Sequence, residues 1–329
     1  MDKKKLLVVC GPTATGKTSL AVSLAKKFDA ELVSCDSRQV YTGMDIVTGK
    51  ELDSRETIEK LRLSATHNGS DYLLVPYLFQ GVPLWMYDVV LPSQEFSVSQ
   101  YEYLAGMVIS NIQKNHKLPI VVGGTGLYVR SLLRPMDTIS IAPDSALRKE
   151  LSFLSRFELQ EKLKQLDLNT WEKLNDSDRN NPRRLVRKIE INLSQKKLLK
   201  NNSKIDSNVL LIGLTAPLKK IYERIDIRVD ERMKSGALDE VEKMQSLYGF
   251  DIPSMTGLGY REWREYFKQE KDSGFQNAII QQWKFDEHAY AKRQMTWFRK
   301  EKNIHWFDIQ DTNAFLKIES LVRGWYTKE

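Results

Sequence analysis

The stretch GPTATGKT, from Gly11 to Thr18, decides the fold of this chain. It matches the phosphate-loop pattern GxxxxGK[ST], and it stands between the apolar run Leu6 to Cys10 and the helix-like segment Ser19 to Phe28. A glycine-rich turn before an ordinary helix is the alternative, but the flanking patterns favour a true loop. The sequence therefore predicts a strand, a phosphate-binding loop and a helix, in that order.

Such a loop turns backbone N–H groups and the positive end of a helix toward phosphate oxygens. Lys17 supplies a mobile cation, and the Thr18 hydroxyl can bind Mg²⁺, which we predict as the cofactor. We expect the whole loop to contact a phosphorylated ligand: Gly11, Pro12, Thr13, Ala14, Thr15, Gly16, Lys17 and Thr18.

Further apolar runs alternate with long helical patterns downstream of the loop. Four of them are strand candidates: Glu31 to Cys35, Pro119 to Val122, Val209 to Leu214 and Ile304 to Phe307. Strands that alternate with helices indicate an α/β fold, in which a mainly parallel sheet is flanked by helices. Between them we expect a charged helix at Ser54 to His67 and a peripheral hairpin that turns at Gln80-Gly81, between Tyr72 to Phe79 and Val82 to Val90.

The segment from Ala142 to Lys200 is helical and rich in charge, without strand signals, between Pro135 and the polar run Asn201 to Asn208. It predicts an inserted all-helical domain. Two helical patterns, Leu218 to Tyr248 and Gly274 to Lys300, then return to the core. The expected divisions are residues 1–136 (core, with a peripheral insert at about 52–90), 137–205 (helical domain) and 206–329 (core with C-terminal helices).

Composition narrows the class of protein. Of 329 residues, 41% are hydrophobic and 28% charged, which is typical of a globular protein and not of a disordered one. Cys10 and Cys35 stand outside any zinc-ligand spacing and fit a reducing compartment, so we expect a cytoplasmic protein. Apolar runs are too short to cross a membrane, so we expect no membrane partner.

The formal charge of +7 favours a polyanionic partner, and the basic residues are clustered. A single acidic residue, Glu190, lies within a run of eight basic ones: Arg183, Arg184, Arg187, Lys188, Lys196, Lys197, Lys200 and Lys204. The run is either a solvated helix face or a surface for the phosphates of a nucleic acid. Aromatic residues between Trp283 and Phe298 follow helical spacing, which is more often typical of core than of base stacking.

Three positions near the ends of strands can carry chemistry. Asp36 directly follows the second strand and is either a base or a turn cap. Thr125 lies in GGTGLY, where a typical NTPase has the Asp that organises Mg²⁺ and water, so ATP hydrolysis is disfavoured. Arg224 and Arg228 share a helix face that is either solvated or directed at phosphates.

Together these segments resemble the bacterial tRNA dimethylallyltransferases over essentially the whole chain. The matching segments occur in the family's order: GPTATGKT, DSRQVYTGMDIVTGK (Asp36 to Lys50), GGTGLY, NPRRLVRKIE, TGLGYRE (Thr256 to Glu262) and AKRQMTWFRK (Ala291 to Lys300). The resemblance implies a P-loop kinase-like core that binds dimethylallyl diphosphate and a helical insert that grips the anticodon stem-loop of tRNA. It implies prenylation of N6 of adenosine 37 in tRNAs that read UNN codons, without a protein partner.

The resemblance also assigns roles. Asp36 is implied as the base, and Lys17, Thr18, Thr125 and Arg228 as the groups that hold the diphosphate with Mg²⁺. The implied tRNA contacts are Asp36, Ser37, Arg38, Gln39, Arg183, Arg184, Arg187, Thr256, Gly257, Gly259, Tyr260 and Arg261.

The chain departs from the family pattern at one place. It inserts Leu52 to Gly81 and has Leu84 and Trp85 where the family has histidines, which puts local substrate contacts in doubt. We expect no zinc-finger extension of the kind that eukaryotic relatives have. Three other functions fit parts of the sequence: a small-molecule or nucleotide kinase, an isopentenyltransferase for free adenine nucleotides, and an RNA-binding protein with a degenerate loop.

Overall fold

The computed structural model describes residues 4–50, 54–134, 138, 141, 143–194, 207–268 and 273–327. The chain forms two compact units, one made of Met1–Leu133 with Ile205–Glu329, and the other of Arg134–Lys204. The predicted domain boundaries, at 136–137 and 205–206, fall outside the described residues. We treat the two units separately below.

The larger unit is built on a seven-stranded sheet with the order β5-β6-β2-β7-β1-β8-β9. All neighbouring strands run parallel except the pair β5 and β6. The predicted mainly parallel α/β sheet is therefore confirmed. The strands, with the separate pair β3 and β4, are β1 (Lys4–Cys10), β2 (Ala30–Ser34), β3 (Leu63–His67), β4 (Ser70–Leu74), β5 (Tyr77–Phe79), β6 (Val82–Trp85), β7 (Leu118–Gly123), β8 (Ser207–Thr215) and β9 (Ile304–Asp308).

Helices cover both faces of this sheet. The α-helices of the described residues are α1 (Lys17–Lys27), α2 (Val98–Lys114), α3 (Gly126–Leu133), α4 (Ser145–Leu151), α5 (Arg156–Leu166), α6 (Leu168–Glu172), α7 (Asp176–Arg179), α8 (Pro182–Leu193), α9 (Leu218–Lys234), α10 (Ala237–Tyr248), α11 (Ser273–Phe298) and α12 (Ala314–Tyr326). Because successive side chains of a strand point to opposite faces, Leu6, Val8 and Cys10 of β1 join the core under α2, α3, α9 and α11. Leu7 and Val9 join the core under α1 and α12.

The segment before α2 differs from its prediction. The expected helix at Ser54 to His67 is wrong: residues 63–67 form β3, which pairs with β4 across the turn Asn68-Gly69, and only Glu59–Leu61 is helical, as a 3₁₀ turn. Asn-Gly is a strong hairpin signal, and here it outweighs the charged residues that favour a helix. The hairpin turning at Gln80-Gly81 does form, but it is not peripheral, because β6 pairs with β2 in the main sheet.

The long helical pattern from Leu218 to Tyr248 is two helices rather than one. The break lies at Ser235-Gly236, where Gly236 adopts φ +95° as the N-cap of α10. The left-handed conformation favours glycine, so the break could have been anticipated from the Ser-Gly pair. It allows α9 to run beside α11, with Asp226 and Asp230 paired to His288 and Lys284 at 2.8 Å each.

The smaller unit contains α4 to α8 around a leucine-rich core. Asn181 caps α8 by accepting from the Arg184 N–H, and Pro182 occupies the first turn. At the other end of this helix Glu190 is 3% exposed and accepts from Arg148 Nε at 2.6 Å and Arg187 Nη1 at 3.1 Å. Burial alone raises the pKa of Glu190, but these bonds hold that pKa below its usual value.

Two arginines of the basic run form contacts within the smaller unit. Arg187 also donates to the carbonyls of Thr138 and Ile141 at 2.8 Å, and Arg184 pairs with Asp178 at 2.5 Å. Arg183 is exposed and has no hydrogen bond or ion pair to any residue that the structure describes. Two of the three predicted arginines therefore have structural partners. Lys196, Lys197, Lys200 and Lys204 lie outside the described residues.

We expect Arg187→Ala to lower the free energy of unfolding by about 1–3 kcal/mol, because it leaves the buried Glu190 carboxylate short of a donor. Arg183→Ala, the matched control on the same helix, should stay within about 0.5 kcal/mol of wild type. Urea denaturation of the full chain, followed by circular dichroism, measures both. Equal stability of the two variants would show that Arg187 does not support this unit.

Candidate active site

A cavity of about 300 Å³ opens at the carboxyl ends of β1, β2 and β7 in the larger unit. Ligands of parallel α/β sheets bind at this edge, because the loops that follow the strands converge there. Most of the predicted site residues of this unit line the cavity: Thr13, Lys17, Thr18, Asp36, Ser37, Arg38, Gln39, Arg228, Thr256, Gly257, Tyr260 and Arg261. Arg183, Arg184 and Arg187 belong to the smaller unit.

The phosphate loop is held in shape by its own side chains. The Thr15 hydroxyl donates to the Pro12 carbonyl at 2.9 Å, and Lys17 Nζ donates to the same oxygen at 2.6 Å. Gly11 adopts φ +135°, and a Cβ there would lie 2.4 Å from the Leu214 carbonyl oxygen of β8. The first glycine of the motif therefore lets β8 approach the loop, and the two hydrogen bonds to the Pro12 carbonyl fix the shape of the loop.

Thr13 is contacted by two residues from distant helices. Its N–H donates to Gln294 Oε1 at 2.9 Å, and its hydroxyl accepts from Arg228 Nη1 at 3.2 Å. Of the two arginines considered from sequence, Arg228 lines the cavity, whereas Arg224 is exposed and does not. The helical spacing continues to Arg232, which also lines the cavity and pairs with Glu287 at 3.2 Å. Arg232, Glu287 and Gln294 are site residues that no sequence pattern indicated.

Asp36 combines the two roles that its sequence position left open. Its Oδ1 accepts from the Arg38 N–H at 2.8 Å, which caps the turn after β2, and its side chain also lines the cavity. The turn is therefore rigid where the carboxylate meets the cavity. Because the phosphate loop lines the same cavity, an acceptor beside Asp36 would lie close to a phosphorylated donor.

Thr125 is not among the residues that line this cavity. Its hydroxyl accepts from the Ser37 N–H at 3.1 Å, and its own N–H donates to the Cys35 carbonyl at 3.2 Å. Tyr290 does line the cavity, and burial raises the pKa of its phenol, which is therefore neutral. Thr125 thus fixes the turn that carries Asp36, while its contact with a diphosphate stays a prediction.

The predicted acceptor-side residues are tied to one another. Arg38 donates to the Pro253 and Ser254 carbonyls at 3.1 and 3.3 Å, next to Thr256 and Gly257. Arg261 pairs with Glu262 at 2.8 Å and with Asp286 at 2.6 Å, and Gly259 donates to Glu262 at 2.7 Å. These contacts form one wall of the cavity.

Tyr260 is fully buried, and its hydroxyl donates to Glu240 at 2.5 Å. Glu240 also accepts from the N–H groups of Asp45, Ile46 and Val47, so one carboxylate holds the GMDIVTGK segment in place. This segment ends at Gly49 and Lys50, and Gly49 lies against Arg228 and Arg232. Sequence reasoning missed Glu240 because an acidic residue on an amphipathic helix is usually solvated.

The two positions that depart from the family pattern are in the core. Trp85 is buried, and its indole N–H donates to the buried Glu31 at 2.8 Å. Leu84 is also buried, at the cavity wall. At this point of the site the chain therefore has an apolar wall instead of imidazole groups.

The described residues contain no cluster of His, Cys, Asp and Glu that could hold a metal ion by itself. The donor set nevertheless fits Mg²⁺ bound together with phosphates: Thr18 lines the cavity beside Lys17, and Asp36 lines the same cavity. Magnesium commonly takes few protein ligands and completes its shell with phosphate oxygens and water. Across the described residues, no helix is both long and apolar enough to span a membrane.

Two family models match the sequence: IPP transferase over residues 39–301 and isopentenyl transferase over residues 4–64. A tRNA dimethylallyltransferase of Pediococcus pentosaceus is 36% identical over 98% of this chain and 97% of its own length. One from Acetivibrio thermocellus is also 36% identical, over 95% of this chain and 94% of its own.

Solved structures agree with this assignment. The full-length tRNA isopentenylpyrophosphate transferase of Bacillus halodurans matches with a TM-score of 0.67 and 32% identity, over 98% of this chain and 97% of its own. That of Staphylococcus epidermidis matches with a TM-score of 0.64 and 30% identity, over 98% and 99%. A eukaryotic dimethylallyltransferase at 23% identity shares the fold, with a TM-score of 0.75. This chain belongs to the IPP transferase family, among the tRNA dimethylallyltransferases.

Proposed function

We propose that this chain transfers the dimethylallyl group of dimethylallyl diphosphate to N6 of adenosine 37 in tRNAs that read UNN codons. The products are N6-dimethylallyladenosine and diphosphate. One observation carries the proposal: a single cavity is lined both by Lys17 and Thr18 of the phosphate loop and by Asp36. Donor and acceptor groups can therefore meet in one place. The names of the relatives at 36% identity support the same reaction.

In this mechanism the loop binds the leaving group. The allylic C–O bond breaks as the diphosphate takes the electron pair, so negative charge grows on its oxygens. The N-terminus of α1, Lys17 and Arg228 are positioned at the loop to stabilise that charge. Mg²⁺, held by Thr18 and the phosphates, would neutralise further charge when bound.

Asp36 acts on the acceptor. N6 of the adenine forms the new bond to the allylic carbon, and its proton passes to the Asp36 carboxylate. The Arg38 N–H bond to Oδ1 orients that carboxylate, and Thr125 fixes the same turn through Ser37. No water has to be activated, so the missing NTPase carboxylate after β7 is consistent with this reaction.

The tRNA must present an unstacked adenine to reach the cavity. We infer that the wall formed by Arg38, Thr256 and Arg261 faces the anticodon loop, and that Arg183 binds the phosphate backbone from the helical unit. Arg184 and Arg187, which have internal partners, contribute less. We expect the enzyme to act in the cytoplasm without a protein partner.

The test is a modification assay with unmodified tRNA that carries A36-A37-A38, together with dimethylallyl diphosphate and Mg²⁺. Mass spectrometry of the digested nucleosides should show N6-dimethylallyladenosine, and tRNA with guanosine at position 37 should remain unmodified. Excess EDTA should stop the reaction. Prenylation of free AMP in place of tRNA, or release of ADP from ATP without a prenylated nucleoside, would contradict the proposal.

A further inference from the structure

Gln294 of α11 accepts a hydrogen bond from a backbone N–H group of the phosphate loop. This side chain is 6% exposed. Its Oε1 accepts from the Thr13 N–H at 2.9 Å, and its Nε2 donates to the Gly124 carbonyl at 3.0 Å. The two partners fix the orientation of the amide, because an N–H cannot accept and a carbonyl cannot donate.

The amide is confined by backbone on its other side. A Cβ at Gly124 would lie 2.2 Å from Gln294 Nε2, so a side chain at that position would displace the amide. The second glycine of GGTGLY, Gly124, therefore leaves the space that the Gln294 amide fills. This close fit argues against a casual surface contact.

The consequence concerns how many phosphates the loop can hold. A phosphate loop binds anions through its backbone N–H groups, and each additional phosphate requires further donors. Here the Thr13 N–H is already satisfied, the Thr13 hydroxyl is bonded by Arg228, and the lone pairs of an amide oxygen lie beside the loop. An extra phosphate at this part of the loop would meet an acceptor in place of a donor.

We propose that Gln294 is a specificity-determining residue that matches the loop to a diphosphate and disfavours a triphosphate. The inference rests on the proposed function, since it concerns the donor of the same reaction. It explains in physical terms how a loop of the ATP-binding pattern can prefer dimethylallyl diphosphate over the far more common ATP.

A purely structural role for Gln294 predicts a different outcome. If the side chain only braces the loop against Gly124, its removal weakens binding of diphosphate and triphosphate by the same factor. If Gln294 instead occupies a donor that a phosphate could use, its substitution frees the Thr13 N–H for the ligand. The affinity for triphosphate then rises relative to the affinity for diphosphate. The ratio of the two affinities separates these roles.

The experiment measures binding of inorganic pyrophosphate and of tripolyphosphate, each with Mg²⁺, by calorimetry on the full chain. Wild type should prefer pyrophosphate, and Gln294→Met should lower that preference about tenfold, the effect of one hydrogen bond to a charged group. Gly124→Ala displaces the amide while Gln294 itself is retained, and it should also lower the preference for pyrophosphate. Gln281→Met, on an exposed position of α11, is the matched control and should bind both ligands as wild type does.

Thermal unfolding of every variant identifies those that fold, so one folded variant of the two is enough for the test. An unchanged affinity ratio in a folded variant would overturn this inference and leave the proposed function intact. Failure of wild type to bind pyrophosphate at all would overturn both. A wild type that binds tripolyphosphate more tightly would overturn the inference even if tRNA is prenylated.

Discussion

Asp36→Asn is expected to lose turnover by about a hundredfold or more, the usual contribution of a general base. The asparagine keeps a side-chain oxygen that can accept the Arg38 N–H, now at 2.8 Å, so the turn after β2 is retained. What is lost is the capacity to accept the N6 proton. The single-turnover rate with saturating tRNA and dimethylallyl diphosphate measures the effect, and the affinity for tRNA should remain at the wild-type value.

The matched control for this variant is Asp29→Asn. Asp29 lies just before β2, its side chain is 82% exposed, and its φ of +44° is one that asparagine tolerates. It should turn over at the wild-type rate. Turnover of Asp36→Asn within a few-fold of wild type would remove Asp36 from the role of base, whereas a parallel loss of tRNA affinity would make it a binding residue.

The second large effect is expected for Lys17→Met, which should lower the rate about a hundred- to a thousandfold, the range for removal of one group that stabilises developing charge. Methionine preserves most of the apolar stem while it removes the ammonium, which now bonds the Pro12 carbonyl. Because the charge on the leaving diphosphate grows in the transition state, the rate should fall more than the affinity for dimethylallyl diphosphate. Rapid-quench measurement over a range of donor concentrations separates the two quantities.

Lys26→Met is the control for the loss of one positive charge from the same helix, since Lys26 is exposed near the end of α1. It should leave both rate and donor affinity unchanged. If Lys17→Met weakened donor binding and left the rate at saturation unaltered, Lys17 would bind ground state and transition state equally. It would then have no specific role in the transfer step.

Much of the larger unit could be predicted because local signals and fold agree there. The strand before Gly11 and the helix after Thr18 follow from apolar periodicity, and the later apolar runs all joined the parallel sheet. The segment 54–67 was mispredicted as a helix because its charged residues follow no period that separates helix from strand, while Asn68-Gly69 alone indicated a hairpin. For this segment the turn residues Asn68-Gly69 indicated the structure better than the charged composition did.

The residues of the site could be predicted only in part, for a different reason. Lys17 could be found from the phosphate-loop motif and Asp36 from its place just after β2, whereas Gln294 and Arg232 reach the cavity from helices whose direction depends on tertiary packing. The internal partners of the basic run could not be predicted for the same reason. The sequence gives no sign that Arg187 turns inward to the buried Glu190, so a count of charges could not distinguish it from Arg183.

The bond between the Thr13 N–H and Gln294 joins residues separated by 281 positions, and it has a consequence for synthesis. Strand β1 is translated before the other strands, its neighbour β8 follows in the second half of the chain, and the amide of α11 follows only near the end. At ribosomal speeds of about 5–20 residues per second, the loop waits roughly 15–60 seconds for the partner that completes it. A nascent chain therefore carries the phosphate loop in an unfinished form for most of translation, and its final ligand preference is acquired with α11.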